Sequence, residues 1–203
     1  LLELSDRERT AFRQDLSIGV DDPVALYCGR MYAAKRLGFL ISAAERVREA
    51  IPSFQLILAG GWPDEKIAKE AARRLSYVHF LGPVFGEKKF KLFAISDIFV
   101  IPGMVGLNVV DAFHHVVPPV VTSYPHHSPE FAYLRHGENG LISSDDVQAF
   151  SEAIIRLARD ESLRSHLIAG CRRSAEEITL EEMIARFGTG LMSALGMTPM
   201  RGN

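Results

Sequence analysis

At 203 residues the chain has room for one full-sized domain with a sizeable core and is short for two. Its 47% hydrophobic and 24% charged residues are those of an ordinary folded domain, which excludes a disordered, collagen-like or disulfide-scaffold chain. A net charge of -2 supplies no basic field for a phosphate backbone, so nucleic acid is not an expected partner.

The chain opens on Leu1 without a signal-peptide pattern, which predicts that further sequence precedes it in the protein. Residues 1–22 are polar and charged and end in Gly19 and Asp21-Asp22-Pro23, the composition of a lead-in or linker ahead of the first packed element. Residues 24–28 are a short β-prone run stopped by Gly29, and 37–51 carries apolar residues at helical spacing. The strand-then-helix unit recurs as 54–59 with 64–75 and as 78–81 with 87–95. A fourth strand, 98–101, leads through Pro102-Gly103 into a helical stretch ending near His115. A fifth strand is expected at 119–122, a short helix at 130–135 and a sixth strand at 140–142.

Strands that are nearly all apolar and alternate with helices imply a parallel sheet covered on both faces and wound right-handed. The expected fold class is therefore α/β: a Rossmann-like, doubly wound parallel sheet of about six strands with C-terminal helices. From residue 147 the pattern is helical only, over 147–159, 162–177 and 180–195. The last helix begins with Thr179 and Glu182 in capping-box spacing and ends at Gly196. The predicted organisation is a lead-in over 1–22, one α/β domain over 23–179 and a terminal helix over 180–203.

Two isolated cysteines, Cys28 and Cys171, form no CxxC or Cys/His cluster, which excludes a zinc site and a disulfide framework and points to a reducing, cytoplasmic compartment. The most apolar stretch, 97–110, is broken by Pro102 and Gly103 and falls short of the roughly 20 residues that a spanning helix needs.

In an open parallel sheet, ligands bind beyond the carboxyl ends of the strands, which restricts the search to a few loops. The loop after the first strand carries Arg30 and Lys35 close to the start of a helix, and cations beside free helix N–H groups are what a diphosphate requires. Equally, they could be solvated surface charges. The loop after the fourth strand holds Gly103, Met104, Gly106 and Leu107 and runs into a helix bearing Asp111 one turn inside. Its glycines permit close approach to a ligand, and the Asp111 carboxylate suits a pair of ribose hydroxyls or a structural partner on a buried helix. A third loop, with His126 and His127 beside Glu130, lacks HxxxH or HExxH spacing and reads as surface rather than metal site. His114 and His115 read as structural, and the Asp21-Asp22 and Asp145-Asp146 pairs as turn or N-cap residues.

Taken together, eight segments in order resemble the C-terminal domain of the retaining GT-B glycosyltransferases of group 1, or family 4. They are Leu26-Tyr27-Cys28-Gly29-Arg30 with Lys35, Leu56-Ile57-Leu58-Ala59-Gly60, Val78-His79-Phe80-Leu81-Gly82, Asp97-Ile98-Phe99-Val100-Ile101-Pro102, Gly106-Leu107, Asp111-Ala112-Phe113, Pro129-Glu130, and Gly137-Glu138-Asn139-Gly140-Leu141-Ile142. The resemblance implies a nucleotide-sugar-binding domain that transfers a hexose-type sugar, with retention and without a metal or other cofactor, to a glycan or lipid-linked acceptor.

By that resemblance Arg30, Lys35 and the amides at Gly106 and Leu107 hold the donor diphosphate, Asp111 grips the ribose, and Pro83 and Val84 border the nucleobase. Gly103 and Met104 mark the donor-sugar region. The family's partner is an N-terminal domain that binds acceptor, supplies the catalytic base or histidine, and can attach peripherally to the inner face of the membrane; no catalytic residue is assigned here. The terminal helix over 180–203 would pack toward that domain.

Three residues depart from the family pattern. Gly103 occupies the place of the first acid, which touches the donor sugar, and Asp111 is one methylene shorter than the second. Val116 replaces the glycine after the helix, and a β-branched residue is ill suited to positive φ, so that turn is expected to take another form. Two other readings remain: a non-catalytic module of the same ancestry, and a response-regulator or flavodoxin-like domain, which fits the alternation but not the Arg30/Lys35 loop or the three final helices.

Overall fold

The computed structural model describes residues 4–195. Six parallel strands lie in the order β3-β2-β1-β4-β5-β6: β1 (Val24–Cys28), β2 (Gln55–Ala59), β3 (Val78–Gly82), β4 (Ile98–Ile101), β5 (Pro119–Thr122) and β6 (Leu141–Ser143). The order reverses between β1 and β4, which pair through Ala25 with Ile98 and Leu26 with Phe99. A doubly wound sheet opens its ligand crevice at this reversal.

The helices are α1 (Asp6–Asp15), α2 (Leu37–Ala50), α3 (Glu65–Arg74), α4 (Gly86–Ala94), α5 (Asn108–His114), α6 (Val147–Arg159), α7 (Glu161–Glu177) and α8 (Leu180–Ala194). Alternate strand residues face opposite layers. Ala25 and Tyr27 of β1 join Leu56, Leu58 and Val100 beneath α2 and α6, where Leu40, Val47, Phe150 and Ile154 pack. Val24, Leu26 and Cys28 join Ile57, Phe99 and Ile101 beneath α4, α5 and α7. Every residue of β1 and β2 is buried, so apart from Gln55 at the start of β2 the strands read as apolar runs, because neither face meets water.

Residues 4–22 differ from the expected linker. Ser5 and Glu8 form a reciprocal capping box that starts α1. The helix buries none of its own residues fully, so it carries little hydrophobic periodicity to read. It is tied down by Arg13, whose guanidinium donates to the carbonyls of Gly19, Val20, Asp22 and Ile95 at 2.8–3.0 Å and to Asp97 at 3.4 Å. Asp97 in turn accepts the Val24 amide at 2.8 Å, so the segment clasps the starts of β1 and β4.

The turn after α5 also departs from expectation, because it keeps the left-handed form with Val116 at φ 59°. Val117 N–H donates to Ala112 and Val116 N–H to Phe113, the two bonds of a Schellman motif. Val117 and Ala112 are both buried in the same apolar cluster, and the two hydrogen bonds hold Val116 in a conformation that valine otherwise avoids.

The short helix expected at 130–135 is a 3₁₀ turn over Pro129–Tyr133. The Asn139 side chain ends it by accepting the Arg135 amide and donating to Tyr133 O and Ser174 Oγ. Thr179 caps α8 by accepting the Glu182 amide at 3.1 Å, and Gly196, its expected end, lies outside the described residues.

Candidate functional site

Beyond the carboxyl ends of β1, β2 and β3 lies a cleft of about 390 Å³, lined by residues of five separate segments. Its floor is a short ladder across the strand ends: Gly29 N–H to Ala59 O, Gly60 N–H to Gly82 O, and Met31 N–H to Gly61 O, all 2.8–3.0 Å. Gly60 has φ +147°, and a Cβ there would stand 1.8 Å from Gly29 O, so only glycine lets the β1 and β2 loops come this close.

Arg30, Pro83, Val84 and Asp111, four of the residues singled out in the sequence, line this cleft together. Tyr27 Oη donates to Arg30 O at 2.7 Å and fixes the backbone from which Arg30 projects. The Arg30 guanidinium is exposed and lies over the Trp62 ring, 5.4 Å from its centroid. Asp111 pairs with Lys89 of α4 at 2.7 Å, across the mouth of the cleft. Asn108 bridges the two halves of the sheet, donating to Cys28 O at 3.4 Å and accepting the Gly106 amide at 3.2 Å. Burial pushes the Cys28 thiol up to about 11, so it stays protonated.

The other expected residues sit beside the cleft rather than in its lining. Lys35 is only 6% exposed, and its Nζ donates to Met104 O at 2.5 Å. Burial lowers the pKa of this ammonium, and the nearby Glu130 carboxylate partly opposes the shift. The Gly106 amide, expected to be free, is occupied by Asn108 because the polar side chain opening α5 folds back over it. Leu107 is exposed. Gly103 is pressed onto the turn before α2: a Cβ would lie 2.1 Å from Ala34 O, and Met104 N–H bonds that same oxygen at 2.8 Å. Gly103, the residue expected to stand in place of the first acid, therefore has no room for a side chain.

His127 pins this loop from outside. Its Nδ1 accepts the Val105 amide at 3.0 Å, its Nε2 donates to Thr122 O at 2.9 Å, and its ring stacks on Phe131 at 4.0 Å. The Nδ1 contact requires the neutral ring, and burial lowers its pKa, partly opposed by the hydrogen bond to the Thr122 carbonyl. Among the described residues no group of three or more His, Cys, Asp or Glu is gathered to hold a metal ion, and no helix is long and apolar enough to cross a membrane.

Trp62, Phe85, Lys89 and Asn108 line the cleft without having been singled out in the sequence. Trp62 carried a usable signal, since it follows Gly60-Gly61 at the carboxyl end of a strand. Lys89 carried none, because it meets Asp111 only through the packing of α4 beside α5.

The fold is a doubly wound α/β domain with a cleft beyond the ends of β1, β2 and β3 that α4 and α5 also line. The family model for glycosyl transferases group 1 matches residues 22–160, more than half of the chain, and the chain belongs to that family. The provisionally named glycosyltransferase EpsD of Bacillus subtilis is 30% identical over 188 residues, covering 87% of this chain and 46% of EpsD. An uncharacterized glycosyltransferase of Methanocaldococcus jannaschii is 24% identical over 183 residues, again 87% of this chain and 46% of the relative. The chain thus spans about half the length of these curated relatives. Among solved structures, Anabaena HepE in complex with UDP and glucose superposes with a TM-score of 0.76 at 19% identity, covering 94% of this chain and 53% of HepE.

Proposed function

We propose that this chain is the donor-binding half of a glycosyltransferase that moves a hexose-type sugar from a nucleoside diphosphate to a glycan or lipid-linked acceptor. The observation that carries the reading is the convergence of Arg30, Asp111, Pro83 and Val84 on one cleft at the strand-order reversal. Arg30 meets the diphosphate, where a guanidinium stabilises negative charge developing on the leaving group. Asp111 takes the ribose hydroxyls, and the Pro83-Val84 backbone borders the base. Lys35 and the Gly106-Leu107 segment join the diphosphate site once Lys35 exchanges Met104 O for a phosphate oxygen. HepE, which shares the fold, is solved with UDP and glucose, in keeping with a donor of this class.

Acceptor and catalytic base come from the other half of the protein, which is also where attachment to the cytoplasmic face of a membrane would reside. Ile184, Phe187, Leu191 and Leu195 are exposed at spacings of three or four residues along and just beyond α8, an apolar stripe suited to packing against that half. The reaction itself calls for no metal or other cofactor.

Titration calorimetry of the chain with UDP, GDP and ADP tests the reading. Saturable heat with at least one is expected, and no heat from any at millimolar concentration would end it. The crowding at Gly103 favours a second reading, a nucleotide-binding module that no longer grips the sugar. It predicts equal affinity for a nucleoside diphosphate and its sugar conjugate.

A further inference from the structure

We propose that Trp62 is the platform on which the nucleobase stacks, with Phe85 as a second aromatic wall; this rests on the donor-binding reading above. Trp62 is 68% exposed and Phe85 81% exposed, yet both line the cleft. Large aromatic side chains held in water beside a concave surface mark a contact site.

The backbone beneath Trp62 is pinned although its side chain is largely exposed. Gly60 N–H bonds Gly82 O and Met31 N–H bonds Gly61 O on one side of it. On the other, Asp64 N–H bonds Met31 O at 2.9 Å, and Pro63 bridges to Met31. The indole is therefore presented on a turn anchored to the ends of β1 and β3 and needs little ordering when a ligand arrives.

The lining also sorts by chemistry. Trp62, Phe85, Pro83 and Val84 supply flat or apolar surface, whereas Arg30, Lys89 and Asp111 supply charge. A ligand matching both has a planar aromatic end joined to a hydroxylated, anionic end, which describes a nucleoside diphosphate. Arg30 already lies over the indole, so the phosphate-binding cation and the stacking surface are neighbours. Stacking tolerates any base, because every base has a π-face. The platform thus supplies affinity, while the Pro83-Val84 backbone edge is left to discriminate.

Trp62 is the only tryptophan in the chain, so intrinsic fluorescence reports on it alone. Titrating the 203-residue chain with UDP and with uridine, which lacks the phosphates, is expected to change the emission saturably. In calorimetry, Trp62→Ala is expected to weaken UDP by roughly 5- to 150-fold, the range for loss of one base–aromatic stack. The same variant leaves pyrophosphate binding intact, and Trp62→Phe restores UDP to within about threefold of the parent.

If UDP binds Trp62→Ala as tightly as the parent, or saturating uridine leaves the emission unchanged, the stacking role is overturned while donor binding stands. No binding of any nucleotide to the parent chain overturns both.

Discussion

Replacing Gly103 with glutamate would put a carboxylate back where the family has its first acid, and the packing around this glycine indicates that the fold resists it. The new Cβ would meet Ala34 O at 2.1 Å, Lys35 C at 2.9 Å and Ala34 C at 3.0 Å, all backbone atoms that no rotamer change can clear. Ordinary contact requires these segments to part by more than an ångström. That movement breaks the Met104 N–H to Ala34 O bond and the Lys35 Nζ to Met104 O bond, which now hold them together. Overpacking costs about 1–3 kcal/mol, and the two bonds add roughly 1 kcal/mol for the neutral one and 1.5–3 kcal/mol for the charged one. A loss of about 3.5–7 kcal/mol lowers Tm by roughly 7–28 °C in a domain of this size. Differential scanning calorimetry of Gly103→Glu against the parent measures it. A Tm within two degrees of the parent, together with tighter binding of UDP-glucose than of UDP, would show that the loop opens freely and that the crowding is no barrier.

Asp111→Ala is expected to weaken nucleoside diphosphate binding by about 1–3 kcal/mol, the scale of hydrogen bonds to a charged group; unchanged calorimetric affinity in a folded variant removes its ribose role. Arg13→Ala strips five contacts from one side chain and is expected to cost on the order of 2–4 kcal/mol in urea unfolding. A shift below 0.5 kcal/mol would make α1 the dispensable lead-in that its composition suggests. His79, His115 and His127 all have pKa values lowered by burial, so the unfolded chain takes up their protons first. Their contribution is complete above about pH 6.5 and is lost as pH falls below it, by at most about 1.4 kcal/mol per pH unit for each histidine. A Tm that stays level between pH 7 and pH 5 contradicts this sign.

The strands at Val24–Cys28, Ile98–Ile101 and Pro119–Thr122 and the helix at Val147–Arg159 lie where the apolar runs and their flanking residues put them. Burial on both faces writes itself directly into composition, which is why the doubly wound fold class could be read from the chain alone, whereas the family was read from the eight segments whose order resembles it. Helix α1 was not legible because it is secured by one arginine reaching distant carbonyls, and not by an apolar stripe. Val116 misled for a related reason: local propensity argues against φ 59°, and the hydrogen bonds of the turn together with the burial of Val117 override it.

Within the site, Arg30 and Asp111 could be picked out because position after a strand is a property of the sequence. The sheet order alone brought them into one cleft with Trp62, Phe85 and Lys89. The burial of Lys35 and the absence of space at Gly103 likewise follow from how closely the β4–α5 loop settles on the turn before α2. Identity and spacing along the chain set which elements form, whereas distances between residues far apart in sequence exist only once those elements have packed.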